Sequence, residues 1–370
     1  MDLKRLSYLN ETEFHQLYKR NMMKTSNFIF PQATDPSRDA EYISNALDEA
    51  KLSEKLGFDA IWLAEHHFDG NCCYVDPITF AAAILASTKK IHVGLAVAQL
   101  SLHHPIALAE QMSLLDNISM GRFVVGVGKG TNYNIYEYDG YGIDSNEAQE
   151  RYEEAEELMK KAWAGEDGYS HNGKYWQVNA PAFRPRPFTR PHPPFLRAAS
   201  SDGGAMYMGK CGVPFLMNAQ SDDVTITRLE TYKTAMRDAG FDEEHVTRCM
   251  SETWVWRNVY VGENDKEASE IGTPNFTAMI KHRAATRERV AKEKGKLNKA
   301  NPVYGNPDIG LVAGSSSTVA ERMHKLASAG VGGVMVQFKL GPMEQDVANA
   351  SIRRFAEEVM PEISNISAKS

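Results

Sequence analysis

Eight short apolar runs, each followed by a longer amphipathic segment, set the strongest limit on what this chain can fold into. The runs that predict strands lie at 26–30, 60–65, 91–97, 122–127, 195–199, 214–218, 252–261 and 333–338. Helical periodicity falls between them at 37–56, 76–88, 104–118, 145–164, 201–211, 221–239 and 316–329, with a closing helix at 344–359. Most of the strand runs are continuously apolar, the pattern of strands buried on both faces of a parallel sheet. Eight such units point to a closed (β/α)8 barrel, whereas an open doubly wound sheet has about six strands and a glycine-rich first turn. The turn after the first run reads Pro31-Gln32-Ala33-Thr34, without glycine. The expected fold is therefore α/β, a single TIM barrel with loop insertions.

The rhythm assigns 23–362 to the barrel, leaving an N-terminal extension at 1–22, with a short helix packed outside, and a tail at 363–370. Two segments interrupt it. Residues 165–194 read as a small hairpin and then a proline-rich extended stretch, which cannot be helical. Residues 263–312 hold a polar helix-like run, FTAMIKHRAATRERVAKEKGKL, flanked by Gly/Pro/Asn turns, and an insertion of that length in a barrel reads as an active-site lid.

Charge and cysteine usage bound the partners. With 41 Lys+Arg against 48 Asp+Glu the net charge is −7, and no basic run exceeds a pair, which argues against nucleic acid and toward a small solute. The four cysteines (Cys72, Cys73, Cys211, Cys249) have no CxxC spacing and read as reduced thiols. Neither a signal-peptide core nor a membrane-spanning apolar run is present, so a cytoplasmic protein is expected.

In such a barrel the working residues sit at the C-terminal ends of the strands. Here those ends are polar: Glu65-His66-His67-Phe68 after the second, Gln99 after the third, GVGKG (126–130) after the fourth, ASSDGG (199–204) after the fifth, Asn218 after the sixth and Gln337-Phe338-Lys339 after the eighth. Lys129 between two glycines, together with Ser200 and Ser201 at a helix start, makes an anion site with free backbone N–H groups. Equally, the glycines could serve only to shape turns, with Lys129 a solvated charge. His66 and His67 point to opposite sides of their strand, so one can face the pocket. A metal would need further ligands, for which His103 and His104 are the nearest candidates in sequence, but the spacing matches no closed metal site, and a proton-handling histidine is the simpler reading. The aromatic side chains expected at the rim, or simply in the core, are Trp62, Phe68, Tyr133, Tyr136, Tyr138, Trp254 and Phe338.

The EHHF end of the second strand, the stretch from Lys89 to Gly130 with its core HPIALAEQMSLLDNISMGRF, and the closing glycine-lysine loop resemble the bacterial luciferase-like flavin monooxygenase superfamily. The resemblance covers about residues 23 to 218, and the last third through its barrel rhythm, long insertion and final strand. It implies an enzyme that takes reduced FMN from a separate flavin reductase, reacts it with O2 to a C4a-hydroperoxide and transfers one oxygen atom to a small organic substrate. It further implies that His66 is the catalytic histidine and Glu65 its companion, that Lys129, Ser200 and Ser201 hold the flavin phosphate, and that the peptide Ala96-Val97 is cis beneath the flavin ring. A dimer is implied as well, through helices of the second and third βα units. Gly128 stands where the luciferase α subunits carry a reactive cysteine, and Lys129 where they carry arginine, so no light-emitting role follows. Two alternatives remain within the resemblance, a deazaflavin-dependent oxidoreductase and a non-catalytic flavin-binding protein.

Overall fold

In this computed structural model, residues 23–131, 134–165, 168–295 and 305–364 are described. The proposed extension at 1–22, Tyr133 and nearly all of the tail lie outside them. Twelve strands occur among the described residues: β1 (Lys24–Ile29), β2 (Ala60–Leu63), β3 (His92–Leu95), β4 (Ala98–Gln99), β5 (Phe123–Gly128), β6 (Tyr169–Asn172), β7 (Gln177–Ala180), β8 (Phe195–Ala199), β9 (Phe215–Met217), β10 (Trp254–Val261), β11 (Leu311–Gly314) and β12 (Gly333–Gln337). Eight of them, in the order β1-β2-β3-β5-β8-β9-β10-β12, pair in parallel and close through β12 back onto β1. The (β/α)8 barrel expected from the apolar rhythm is the fold. Local signals set its helix starts: Asp76 accepts from the Ile78 and Thr79 amides ahead of Pro77, and Ser221 and Ser315 cap later helices in the same way.

The lower barrel interior is solid. Trp62 packs edge-on against Trp254 with ring centroids 5.2 Å apart, and Phe28 against Trp256 at 4.9 Å. Gly94 lies beside Trp62, where an added Cβ would sit 2.4 Å from the indole, so the ring needs glycine there.

The hairpin is present as the antiparallel pair β6 and β7, followed by a stretch with neither helix nor strand that carries cis peptides at Arg184-Pro185 and Arg190-Pro191. The second insertion departs from expectation in two ways. Its helix runs from Asp265 to Lys294 and passes straight through Gly272 and Pro274, residues that read as a turn. The missing proline N–H is outweighed because Ala268, Phe276 and Met279 are all fully buried against Tyr260, Leu340 and Met343. The insertion also ends in a strand that local pattern did not announce: β11 pairs with the upper half of β10, Asn258 to Val261, while the lower half of β10 pairs with β12. Helices at Ile135–Gly140 and Glu243–Ser251 were likewise not foreseen.

Candidate active site

At the end of β2 the two histidines part as strand geometry requires. His66 turns to the mouth, stacked on Phe30 with centroids 5.1 Å apart and its side chain 25% exposed. Its Nδ1 lies 3.0 Å from Oε1 of Glu137, a fully buried carboxylate on the helix Ile135–Gly140. That contact assigns the ring proton to Nδ1 and leaves Nε2 to accept or release a proton. Glu137 is itself held: Asn134 Nδ2 and Gln99 Nε2 each donate to its Oε2 at 3.2 Å, and the His67 amide donates to Oε1.

Glu65 does not share the mouth with His66. It is buried behind the strand end, where Oε1 accepts from His67 Nε2 (2.8 Å) and His103 Nε2 (2.6 Å), and Oε2 from the Gln99 amide (2.7 Å). Burial pushes this carboxyl up, but the hydrogen bonds from His103, His67 and Gln99 outweigh it and hold the group down at about 2. His103 responds in kind: burial lowers it, the bond to Glu65 raises it, and the net shift is upward. The donor atoms of Glu65, His67 and His103 lie within 4.8 Å of one another, and in this arrangement both imidazoles spend their N–H on the carboxylate. Tyr141 Oη completes the knot at 3.2 Å from His67 Nδ1.

The peptide Ala96-Val97 is cis. It separates β3 from β4, so the third stave is interrupted beside His66. Gly128 packs directly on Val97, and a Cβ there would come within 2.8 Å of its Cγ2. The register of β5 against β8 pairs Val127 with Arg197, which brings the loop of Lys129 level with the loop of Ser200 and Ser201. The Lys129 carbonyl accepts from Ser101 Oγ and Tyr138 Oη, fixing the loop backbone, while the ammonium forms no ion pair among the described residues. Ser201 caps the helix Asp202–Cys211 by accepting from the Gly204 amide. A Cβ on Gly203 would meet nothing within 4 Å, so the first turn of that helix is open to an anion. These residues fit the phosphate of a flavin mononucleotide.

A sequence profile described as luciferase-like monooxygenase matches residues 23–333. The chain belongs to the luciferase-like monooxygenase family. By class it is an enzyme, a flavin-dependent monooxygenase. Among its relatives, the alkanal monooxygenase alpha chain of the Kryptophanaron alfredi symbiont is 28% identical over 62% of this chain and 64% of its own length. The oxygenase component of the flavin-dependent trigonelline monooxygenase of Acinetobacter baylyi is 24% identical over 92% of this chain and 96% of its own. Two solved structures share the fold. The oxygenating constituent of 3,6-diketocamphane monooxygenase from Pseudomonas putida, in complex with FMN, superposes with a TM-score of 0.72 at 21% identity, covering 92% of this chain and 98% of that one. An F420-dependent secondary alcohol dehydrogenase superposes at 0.70 with 18% identity, covering 92% and 99%.

Within this luciferase-like frame, the long helix Asp265–Lys294 crosses the C-terminal face of the barrel. The Met279 carbonyl accepts from Gln32, Thr286 Oγ1 donates to the Asp69 carbonyl at 2.9 Å, and Arg287 Nε donates to Asn134 Oδ1 at 2.8 Å. Arg287, Asn134, Glu137 and His66 thus form one hydrogen-bonded line from the helix to the mouth. Sequence reading missed Glu137, Asn134 and Tyr141, which sit beyond the fourth strand end in a segment without periodicity. The aromatic rim is smaller than expected, since Trp62 and Trp254 form the barrel floor, Phe338 packs outside it on Phe58 and Phe355, and Tyr138 is buried. Phe68, 53% exposed, stays at the surface. Among the described residues no helix is long and apolar enough to cross a membrane.

Proposed function

We propose that the chain is the oxygenase component of a two-component system, taking reduced FMN from a separate flavin reductase and using O2 to oxygenate a small organic substrate. The observation that carries this reading is the pairing of His66 with the buried Glu137 at the barrel mouth, with the Lys129 and Ser200/Ser201 loops side by side after β5 and β8. Reduced FMN, when bound, supplies the electrons that activate O2. Lys129, Ser200 and Ser201 hold its phosphate, and Ala96 and Val97 support its ring. His66 holds or delivers a proton at Nε2, and Glu137 keeps the ring in the tautomer that allows this. Glu65 acts as a positioning residue, because its oxygens are occupied by His67, His103 and Gln99. The helix Asp265–Lys294 covers the mouth and limits water. A dimer built on the helices after β2 and β3 fits the exposed Leu114, Ile118 and Met120 at one of them.

The test is an anaerobic titration with reduced and oxidised FMN, followed by reductase-coupled turnover with aldehydes, ketones, alkanes and heteroaromatics. Tighter binding of reduced FMN, and oxygen consumption only when reductase is present, are expected. Hydride transfer from a reduced deazaflavin without oxygen consumption would replace FMN by that cofactor, and absence of both flavin binding and turnover would overturn the reading.

A further inference from the structure

Arg283, near the middle of the long helix, makes no ion pair with a carboxylate among the described residues. Its guanidinium lies 4.4 Å from the centroid of Phe30, the ring on which His66 stacks, and 5.8 Å from that of Trp256. The polar contact it makes within the described residues is a long one, 3.4 Å from Nη2 to Gln337 Oε1, and no carboxylate pairs with it there. Asp69 acts on it only through space, since that carboxylate is engaged by the Asn71 and Cys72 amides. Burial, helped by the like charge of Arg287 one turn away, pulls the guanidinium down to about 10. By contrast the buried Arg257 lies 3.1 Å from Asp222, and the half-buried Arg197 pairs with Glu156. A half-buried guanidinium over aromatic rings, without a contacting counter-charge among the described residues, is costly, and a ligand that brings an anion reduces the cost.

A second observation points the same way. The indole Nε1 of Trp256 is buried and has no hydrogen-bond partner, leaving another donor unsatisfied at the residue beside which Arg283 lies. A flat apolar body at the mouth, beside Phe30 and His66 and above the packed Phe28–Trp256 pair, would bring its oxyanion to the guanidinium in the two-pronged geometry that arginine and carboxylate share.

We infer that Arg283 is the docking point for the carboxylate of an aromatic or heteroaromatic acid, and that the substrate of this enzyme belongs to that class. The inference rests on the barrel mouth being the substrate site, as in the function proposed above, and adds a specificity-determining residue delivered by the insertion.

The experiment is an equilibrium titration of the full-length chain, read by tryptophan fluorescence, with benzoate, naphthoate, pyridinecarboxylates and indolecarboxylates and with the primary amide of each. Wild type should bind at least one acid at least about tenfold more tightly than its amide. Arg283→Met should weaken that acid by roughly 10²-fold while leaving amide binding unchanged, which also shows that the variant is folded. Arg283→Lys, keeping charge without the fork, should retain part of the preference. Without ligand, the melting temperature of Arg283→Met should equal or exceed that of wild type, because an uncompensated charge has gone. The inference is overturned if no acid in the panel binds more tightly than its amide, if Arg283→Met binds the acid as wild type does, or if that variant melts lower and loses amide binding as well. Reduced-FMN affinity is scored separately: acid preference without flavin binding would remove the proposed function alone, and flavin binding without acid preference would remove this inference alone.

Discussion

The barrel mouth has two halves that reach it by different routes. On one side Lys129, Ser200 and Ser201 sit on short loops directly after β5 and β8, so where they stand follows from where two neighbouring strands stop. On the other, Arg283, Thr286 and Arg287 arrive on a helix of 30 residues that starts after β10 and lies across the face of the barrel. On the proposed function, the first half meets the phosphate, the part common to every FMN. The second meets whatever lies beneath the helix, and its chemistry can change without disturbing a single stave. His66 stands where the halves join, stacked on Phe30, which Arg283 also covers, and tied through Glu137 and Asn134 to Arg287.

Substitutions can break or sharpen this division. His66→Ala, at the junction, should lower product formation by roughly 10²-fold or more while reduced-FMN affinity stays near normal, measured as coupled product against wasted peroxide. Unchanged coupling would take His66 out of the chemistry.

Glu65→Gln tests the support behind the junction and should cost about 2 kcal/mol, seen as a fall of a few degrees in Tm. Its pH dependence follows from two opposite shifts. The Glu65 carboxyl is held at about 2 against an ordinary 4.5, so its contribution is complete above pH 4.5 and is lost as pH falls toward 2. His103 is raised above its ordinary 6.5, so its contribution is complete below pH 6.5 and is lost as pH rises through the raised value. The Tm gap between wild type and variant should therefore be widest between pH 4.5 and 6.5. A gap that does not vary with pH would show that the pair is not ionised as described.

Glu137→Gln keeps an acceptor for His66 but loses its charge, and a drop of about tenfold in kcat with KM little changed is expected. Lys129→Ala belongs to the strand half: reduced-FMN affinity should weaken by about fivefold with Tm unmoved. Arg287→Ala belongs to the helix half and should cost only about two- to threefold in kcat, with flavin affinity unaffected. Should Arg287→Ala weaken flavin as much as Lys129→Ala, the two halves are not separate sites.

The contrast also explains what could be read from the sequence. All eight barrel strands were legible, because strands buried on both faces advertise themselves as continuous apolar runs, and strand ends then located His66, Lys129, Ser200 and Ser201. The family motifs added the cis peptide between Ala96 and Val97, which nothing in the residues themselves signals. What stayed hidden depends on contacts between distant segments. Glu137 becomes the partner of His66 only when a short helix folds back 71 positions along the chain. Pro274 reads as a helix breaker until Phe276 and Met279 are seen to be buried. The four residues of β11 are too few to stand out, and they form a strand because the upper half of β10 offers an open edge. Glu65 looked like a reacting group because it adjoins His66 in sequence, yet strand alternation sends it behind the mouth, into a knot with His67 and His103.

The plugged floor of the barrel has a bearing on traffic. With Trp62 locked against Gly94 and Trp254, and Phe28 against Trp256, aromatic rings fill the base among the described residues. On the proposed function, cofactor, substrate and product share the end of the barrel beneath the long helix. Turnover is then a queue: whichever molecule lies deepest leaves last, and spent flavin that lingers blocks the next arrival. Product inhibition that is competitive toward reduced FMN would be the kinetic signature of that shared end.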